Sequence, residues 1–328
     1  MKLSTPKPPK NKLLRIVYGI VKTARPRQWV KNGALFAPLV FSGFFFYNPA
    51  DAPSYFIQVL GAFFVFSILT SSIYIINDII DVEADRNHPY KKFRPIAAGI
   101  LPVPIAMITA GVGLLAVFFL SFAFPPAFGI LLLSYFMLQL AYANYFKHVP
   151  ILDIVSIAVG FLIRIYAGSA VVNLHMNVWF LLTVLSAALF IAVAKRQSER
   201  TLLSNLPEKQ AGMTRKTLTS YSQRLLDQYT AMFATATWLT YALFTFQSSV
   251  EAKQLPIASY FNIPRLFQNQ KLLMLSVPFV ILAVMRYLQL VYEKNRGEAP
   301  DKVLFADKPL LATVAGFGVV VFVVVYMI

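Results

Sequence analysis

The chain has 328 residues, 58% of them hydrophobic and only 13% charged, with a mean hydropathy of +0.62. A soluble domain of this size carries about a quarter charged residues, so a water-solvated globular fold is excluded and lipid is the main solvent. The net charge of +16 is scattered over connections, which argues against a nucleic-acid partner, and the absence of cysteine removes disulfides and thiolate metal sites.

Six stretches contain no Asp, Glu, Lys or Arg: 32–50, 52–77, 95–146, 165–194, 228–250 and 309–328. A helix needs about 20 mostly apolar residues to cross a bilayer. Most of these stretches therefore cross once, and the longest crosses twice, with a break at Phe124-Pro125-Pro126. In chain order, a Lys/Pro-rich tail predicts no cleavable signal, and a basic amphipathic stretch over 13–24 predicts a helix lying in the membrane interface. Nine helices are predicted after it, at 29–47, 54–80, 101–121, 127–146, 151–172, 178–195, 229–247, 271–292 and 308–327. Residues 1–24 thus form a basic tail and interfacial helix, and 25–328 one all-α polytopic membrane domain. Of the 30 Lys and Arg, 26 fall on the connections of one side. Lys253, Arg265 and Lys271 fall on the other, and Arg164 lies inside a span. Positive charge stays cytoplasmic, which predicts a multi-pass inner (plasma) membrane protein with its N-terminus inside and C-terminus outside. The lipid bilayer is its first partner, and anionic lipid accounts for part of the positive charge.

Only 14 residues are acidic, yet four lie close together at the inner end of the second span, in Asn77-Asp78-Ile79-Ile80-Asp81-Val82-Glu83-Ala84-Asp85. If the helix continues, Asp78, Asp81 and Asp85 share a face with Asn77, and Glu83 points to solvent. These carboxylates repel one another and oppose the partial negative charge of the helix C-terminus. A divalent cation relieves both, and Mg2+ is typically shared between carboxylates and substrate phosphates. Arg86, Lys91, Lys92 and Arg94 follow at once, and guanidinium forks suit phosphate oxygens. The pattern predicts a metal-bridged diphosphate site on the cytoplasmic side. The carboxylates Asp78, Asp81 and Asp85 are the groups such a cation would join, and Arg86, Lys92 and Arg94 are the expected phosphate contacts. His88, His148 and His175 show no metal-ligand spacing, and no Ser/His/Asp constellation is present.

Asn77-Asp78-x-x-Asp81-x-x-x-Asp85 at the end of the second of nine helices resembles the UbiA superfamily of intramembrane prenyltransferases. Further blocks resemble its decaprenyl-phosphate phosphoribosyltransferase branch: Arg25-Pro26-Arg27-Gln28-Trp29-Val30-Lys31-Asn32, Asp81-Val82-Glu83-Ala84-Asp85-Arg86, Phe93-Arg94-Pro95-Ile96-Ala97-Ala98-Gly99 and Lys147-His148-Val149-Pro150-Ile151-Leu152-Asp153. The resemblance runs from about residue 23 to the C-terminus. It implies nine helices bundled around a central cavity. It also implies a Mg2+-dependent reaction in which a polyprenyl phosphate attacks C1 of the ribose in 5-phosphoribosyl diphosphate and diphosphate leaves, supplying a lipid-linked sugar to cell-wall synthesis. Asp78 and Asp81 would lead the metal site, with Asp85 and Asn77 completing it. The alternative within the superfamily moves a prenyl group from its diphosphate to an aromatic or quinoid acceptor. A lipid or anion transporter would also place charges in a bundle, but this cluster sits at one end rather than near the midplane. A homo-oligomer is compatible with the sequence but not specified by it.

Prenyl-diphosphate users of the superfamily usually carry a second Asp-rich motif after the sixth span. Here that position reads Ala194-Lys195-Arg196-Gln197-Ser198-Glu199-Arg200. Lys195 and Arg196 are therefore expected either to contact an additional phosphate or to form the positive flank of the span. In the fifth span Asp153, Ile157, Gly160 and Arg164 form a stripe, with Asp153 and Arg164 about 16 Å apart. A cation inside a span should face the interior and meet an anion, so Arg164 is expected to line the cavity, and Gly160 and Gly168 to permit close packing. Arg27 and Lys31, spaced i and i+4, either turn into the pocket or snorkel to headgroups. Trp29 is expected as an interfacial anchor. Lys147 is expected to touch phosphate, Asp153 and Tyr221 to border the substrate, and Asp227 to cap a helix.

Overall fold

The computed structural model describes residues 11–87, 91–204, 220–248, 271–293, 303 and 306–327. The N-terminal tail, His88, and Lys209, Arg215, Lys216, Lys253, Arg265, Lys294, Arg296 and Lys302 lie outside the described residues. Most of the described residues are helical, with no strand among them.

Asn11 opens α1 (Lys12–Ala24), its side chain accepting from the Leu13 N–H at 2.9 Å. The helix leaves Leu13, Leu14, Val17 and Val21 exposed along one stripe, as the amphipathic pattern predicts. It ends at Arg25, whose backbone is left-handed (φ 54, ψ 58), and Pro26 follows.

The first predicted span is not a continuous α-helix. Residues Pro26–Phe36 form a 3-10 segment, followed by the short α2 (Ala37–Phe41). Proline at both starts withholds an N–H, and the segment lies unusually close to its neighbour. A Cβ built on Gly168 would sit 1.9 Å from the Leu35 carbonyl oxygen, so only glycine admits this approach. Near the end of α2 the Leu39 and Val40 carbonyls accept from the Tyr326 hydroxyl at 3.2 and 2.6 Å. Gly168→Ala is expected to cost about 1–3 kcal/mol or more through overpacking, read as a lowered unfolding midpoint in detergent. An unchanged midpoint would contradict this packing.

The remaining helices are α3 (Tyr55–Ile80), α4 (Val82–Asn87), α5 (Val103–Ser121), α6 (Pro126–Asn144), α7 (Leu152–Val171), α8 (Val178–Ser204), α9 (Gln223–Gln247), α10 (Val277–Tyr292) and α11 (Lys308–Tyr326). Ser54, Ser222 and Asp307 cap α3, α9 and α11. The break between α5 and α6 falls at the double proline, as predicted. Among the described residues seven helices are long and apolar enough to cross a membrane: α3, α5, α6, α7, α8, α11, and α10 with the 3-10 turn before it. The other two predicted spans are the broken segment and α9, whose threonines dilute its apolar character.

α3 and α7 are 56% buried over their apolar windows and α5 and α11 only 17%, so the former pair is central and the latter faces lipid. α3 packs on α5 and the first segment, α7 on α6, α8 and the first segment, α9 on α8, and α10 on α11. The ring closes where α11 meets α2. Leu35, Leu39, Phe66, Phe128, Leu132 and Tyr135 belong to the main core between these elements.

Candidate active site

α3 ends at Ile80, and Asp81 (φ −86, ψ 5) interrupts it before α4. Helical bonds still bridge the interruption, from Asp81 N–H to the Asn77 carbonyl at 3.0 Å and from Asp85 N–H to the Asp81 carbonyl at 2.8 Å. Asp78 and Asp85 thus stay on one face, 3% and 2% exposed. Both accept from one Arg94 nitrogen, at 3.1 and 2.7 Å, and an Arg25 nitrogen stands 2.5 Å from the same Asp78 oxygen. Asp81 meets Lys147 instead, at 3.6 Å, with its side chain 38% exposed.

The predicted four-ligand face is therefore divided. Among the described residues no three acidic or histidine side chains gather tightly enough to hold an ion by themselves. The donor chemistry nevertheless fits Mg2+. Asn77 Oδ1 is buried with no hydrogen-bond partner among the described residues, next in sequence to Asp78, and the hard oxygens of Asp78 and Asp85, already sharing the Arg94 guanidinium, are of the type Mg2+ prefers. Glu83 is exposed, as expected.

Arg25 is the residue that the sequence did not single out. Its signals were its place at the head of the Arg25–Asn32 block and the Arg-Pro step ending an amphipathic helix. The pair that was singled out, Arg27 and Lys31, depended on an α-helical i, i+4 register. In a 3-10 segment three residues make a turn, so that register is lost: Arg27 is exposed and Lys31 half-buried. Trp29, half-buried, donates to the Ser71 hydroxyl at 2.9 Å. Arg86 and Lys92 are exposed, Lys92 over the Phe93 ring.

A second polar group joins α6, α7, α8 and the start of α9. Asp153 and Arg196, each 1% exposed, pair at 2.8 Å. Arg196 also donates to Glu199 at 2.5 Å and to the Tyr142 hydroxyl at 3.4 Å. Tyr221 donates to the other Asp153 oxygen at 2.6 Å. Burial, reinforced by that hydrogen bond, pushes the Tyr221 phenol well above its usual range, so it stays protonated. Arg196 is thus engaged within the bundle, whereas Lys195, half-exposed, lies 3.9 Å from Glu199. Asp227 accepts from Gln197 at 2.8 Å and from Tyr292 at 2.9 Å, and the α9 cap is Ser222 instead.

Arg164 lies deeper in α7 and faces the interior as expected, 6% exposed. Its hydrogen-bond partners among the described residues are neutral: Asn32 Oδ1 at 3.0 Å, the Gly160 carbonyl at 2.8 Å and the Tyr135 hydroxyl at 2.6 Å, with the Phe66, Tyr135 and Phe161 rings around it. Asn32 donates in turn to Ser67 and Thr70. Aromatic faces and polar dipoles here take the part of the anion the sequence called for. Gly160 contributes its carbonyl, and a Cβ there would make only ordinary contacts, so the close approach belongs to Gly168 alone of the two.

The fold and these groups define a polytopic helical membrane protein with a cation-ringed carboxylate site at one end of its bundle. Residues 35–308 match the UbiA prenyltransferase family, and the chain belongs to it. It is similar to the decaprenyl-phosphate phosphoribosyltransferase of Corynebacterium glutamicum, 36% identical over 310 residues covering 92% of this chain and 84% of that protein. The protein of the same name from Mycobacterium tuberculosis is 35% identical over 322 residues, 96% of each chain. Among solved structures, a UbiA homolog from Archaeoglobus fulgidus bound to GPP and Mg2+ shares the fold, with a TM-score of 0.63 at 18% identity over 94% of this chain and 99% of that one.

Proposed function

We propose that this protein transfers 5-phosphoribose from 5-phosphoribosyl diphosphate to a polyprenyl phosphate, releasing diphosphate. The observation that carries the reading is the buried Asp78–Asp85 pair held by Arg25 and Arg94, in a chain whose 35–36% identical relatives over more than nine-tenths of its length bear that activity in their names.

Asn77, Asp78, Asp81 and Asp85 would hold Mg2+, which supplies charge neutralisation for a departing diphosphate. Arg25, Arg94 and Lys147, which now neutralise these carboxylates, are free to exchange them for phosphate oxygens when the donor enters. The acceptor's phosphate oxygen is already ionised at neutral pH, so proton transfer is a minor demand. That oxygen bonds to ribose C1 as the C1–O bond to diphosphate breaks, the electron pair leaving with the diphosphate. What the chain supplies is positioning and fixed charge around a cationic C1 and an anionic leaving group. The excess of Lys and Arg on this end orients it to the cytoplasm of an inner-membrane protein, where the aqueous donor is found. The α1 stripe of Leu13, Leu14, Val17 and Val21, beside Lys12, Arg15 and Lys22, lies in the same interface.

The test is purified protein with radiolabelled 5-phosphoribosyl diphosphate and decaprenyl phosphate. Label is expected to enter the lipid phase, and chelation of divalent cations to stop it. If label stays aqueous while a prenyl diphosphate is consumed with an aromatic acceptor, the chain is instead an aromatic prenyltransferase of the same family.

A further inference from the structure

The turn that follows Lys147 is held in a conformation its own sequence disfavours. Ile151 has φ 69 and ψ −50, and the Pro150 carbonyl accepts from the Leu152 N–H at 2.8 Å. This is a three-residue γ-turn of the rare, strained hand. A β-branched residue is a poor occupant of positive φ, which glycine takes freely.

One side chain opposes relaxation of this turn. The Tyr221 hydroxyl accepts from the Ile151 N–H at 2.6 Å and donates to Asp153 Oδ1 at 2.6 Å. Tyr221 is itself 1% exposed, and Arg196 of α8 holds the second oxygen of Asp153. A phenol can accept and donate at once, and Tyr221 does both here. Four residues before Ile151, Lys147 Nζ meets Asp81 at 3.6 Å.

We propose that Tyr221 is a positioning residue: by latching the Ile151 turn, it holds Lys147 against Asp81 and so couples α8 and α9 to the donor's diphosphate site. Tyr221 needs no contact with substrate in this role. The inference rests on the phosphoribosyl transfer read above for that site.

Tyr221→Phe removes only the hydroxyl. It is expected to lower kcat/KM for labelled transfer to decaprenyl phosphate about tenfold, with a raised KM for 5-phosphoribosyl diphosphate. The amides of residues 151 and 152 should lose protection in hydrogen exchange. In a Lys147→Ala background Tyr221→Phe should add nothing further, because the group it acts through is gone. Ile151→Gly, which relieves the strain, should restore most of the loss in the Tyr221→Phe protein. A full Tyr221→Phe effect without Lys147, or unchanged exchange at 151 and 152, overturns the latch. If Tyr221→Phe does not fold, Ile151→Gly should rescue folding, and failure to do so also overturns it. Absence of any lipid-linked product from the wild-type protein would remove the reaction reading, while the exchange result would still decide the latch.

Discussion

Replacing Asp78 by Ala is expected to lower kcat/KM by about a thousandfold or more while the protein still folds in detergent. Asp78 is buried and accepts from two arginines, so it is the carboxylate on which charges of both signs converge. Its loss removes an oxygen that a cation and a diphosphate both depend on. The stability cost should be modest, because Arg25 and Arg94 keep 32% and 27% side-chain exposure and can rehydrate, and Arg94 retains Asp85. Asp78→Asn keeps the volume and should be as inactive, which separates charge from shape. Asp81→Ala should also lose turnover, with still less effect on folding, since Asp81 is the most exposed of the three aspartates. Unfolding midpoints beside transfer assays check both halves. Full magnesium-dependent activity in either alanine variant would refute the site.

Arg196→Ala is expected to be the most destabilising single change at the polar end, by about 3–5 kcal/mol. Asp153 and Arg196 are each 1% exposed, and removing one partner leaves an uncompensated charge out of water. The paired change Asp153→Leu with Arg196→Met should be more stable than Arg196→Ala alone, since no buried charge remains. Part of the loss should persist because Tyr221 also depends on Asp153. Lys195→Ala, one residue away but half-exposed, should leave the unfolding midpoint within error. The opposite pattern, a stable Arg196→Ala protein with impaired donor binding, would return Arg196 to the phosphate-contacting role its basic motif suggested.

Much of this architecture was legible in the sequence. Charge-free stretches of spanning length located α3, α5, α6, α8, α9 and α11, because an unsatisfied backbone or charge in hydrocarbon leaves the chain few alternatives. The double proline between α5 and α6 and the amphipathic α1 followed from equally local rules. The acidic run was visible because 14 carboxylates in 328 residues make a cluster conspicuous.

Tertiary structure decided which charges meet. Arg25 reaches Asp78 across 53 positions of sequence, and Arg196 reaches Asp153 across 43. No local periodicity encodes such pairs. The first span lies against Gly168 as a 3-10 segment rather than an α-helix, and this removed a register argument that was sound only for an α-helix. Arg164 found aromatic rings and amides because three other segments surround it. Solvent preference is a property of each residue and is written along the chain. The partner of a buried charge is a property of the folded bundle, set by which helices lie side by side.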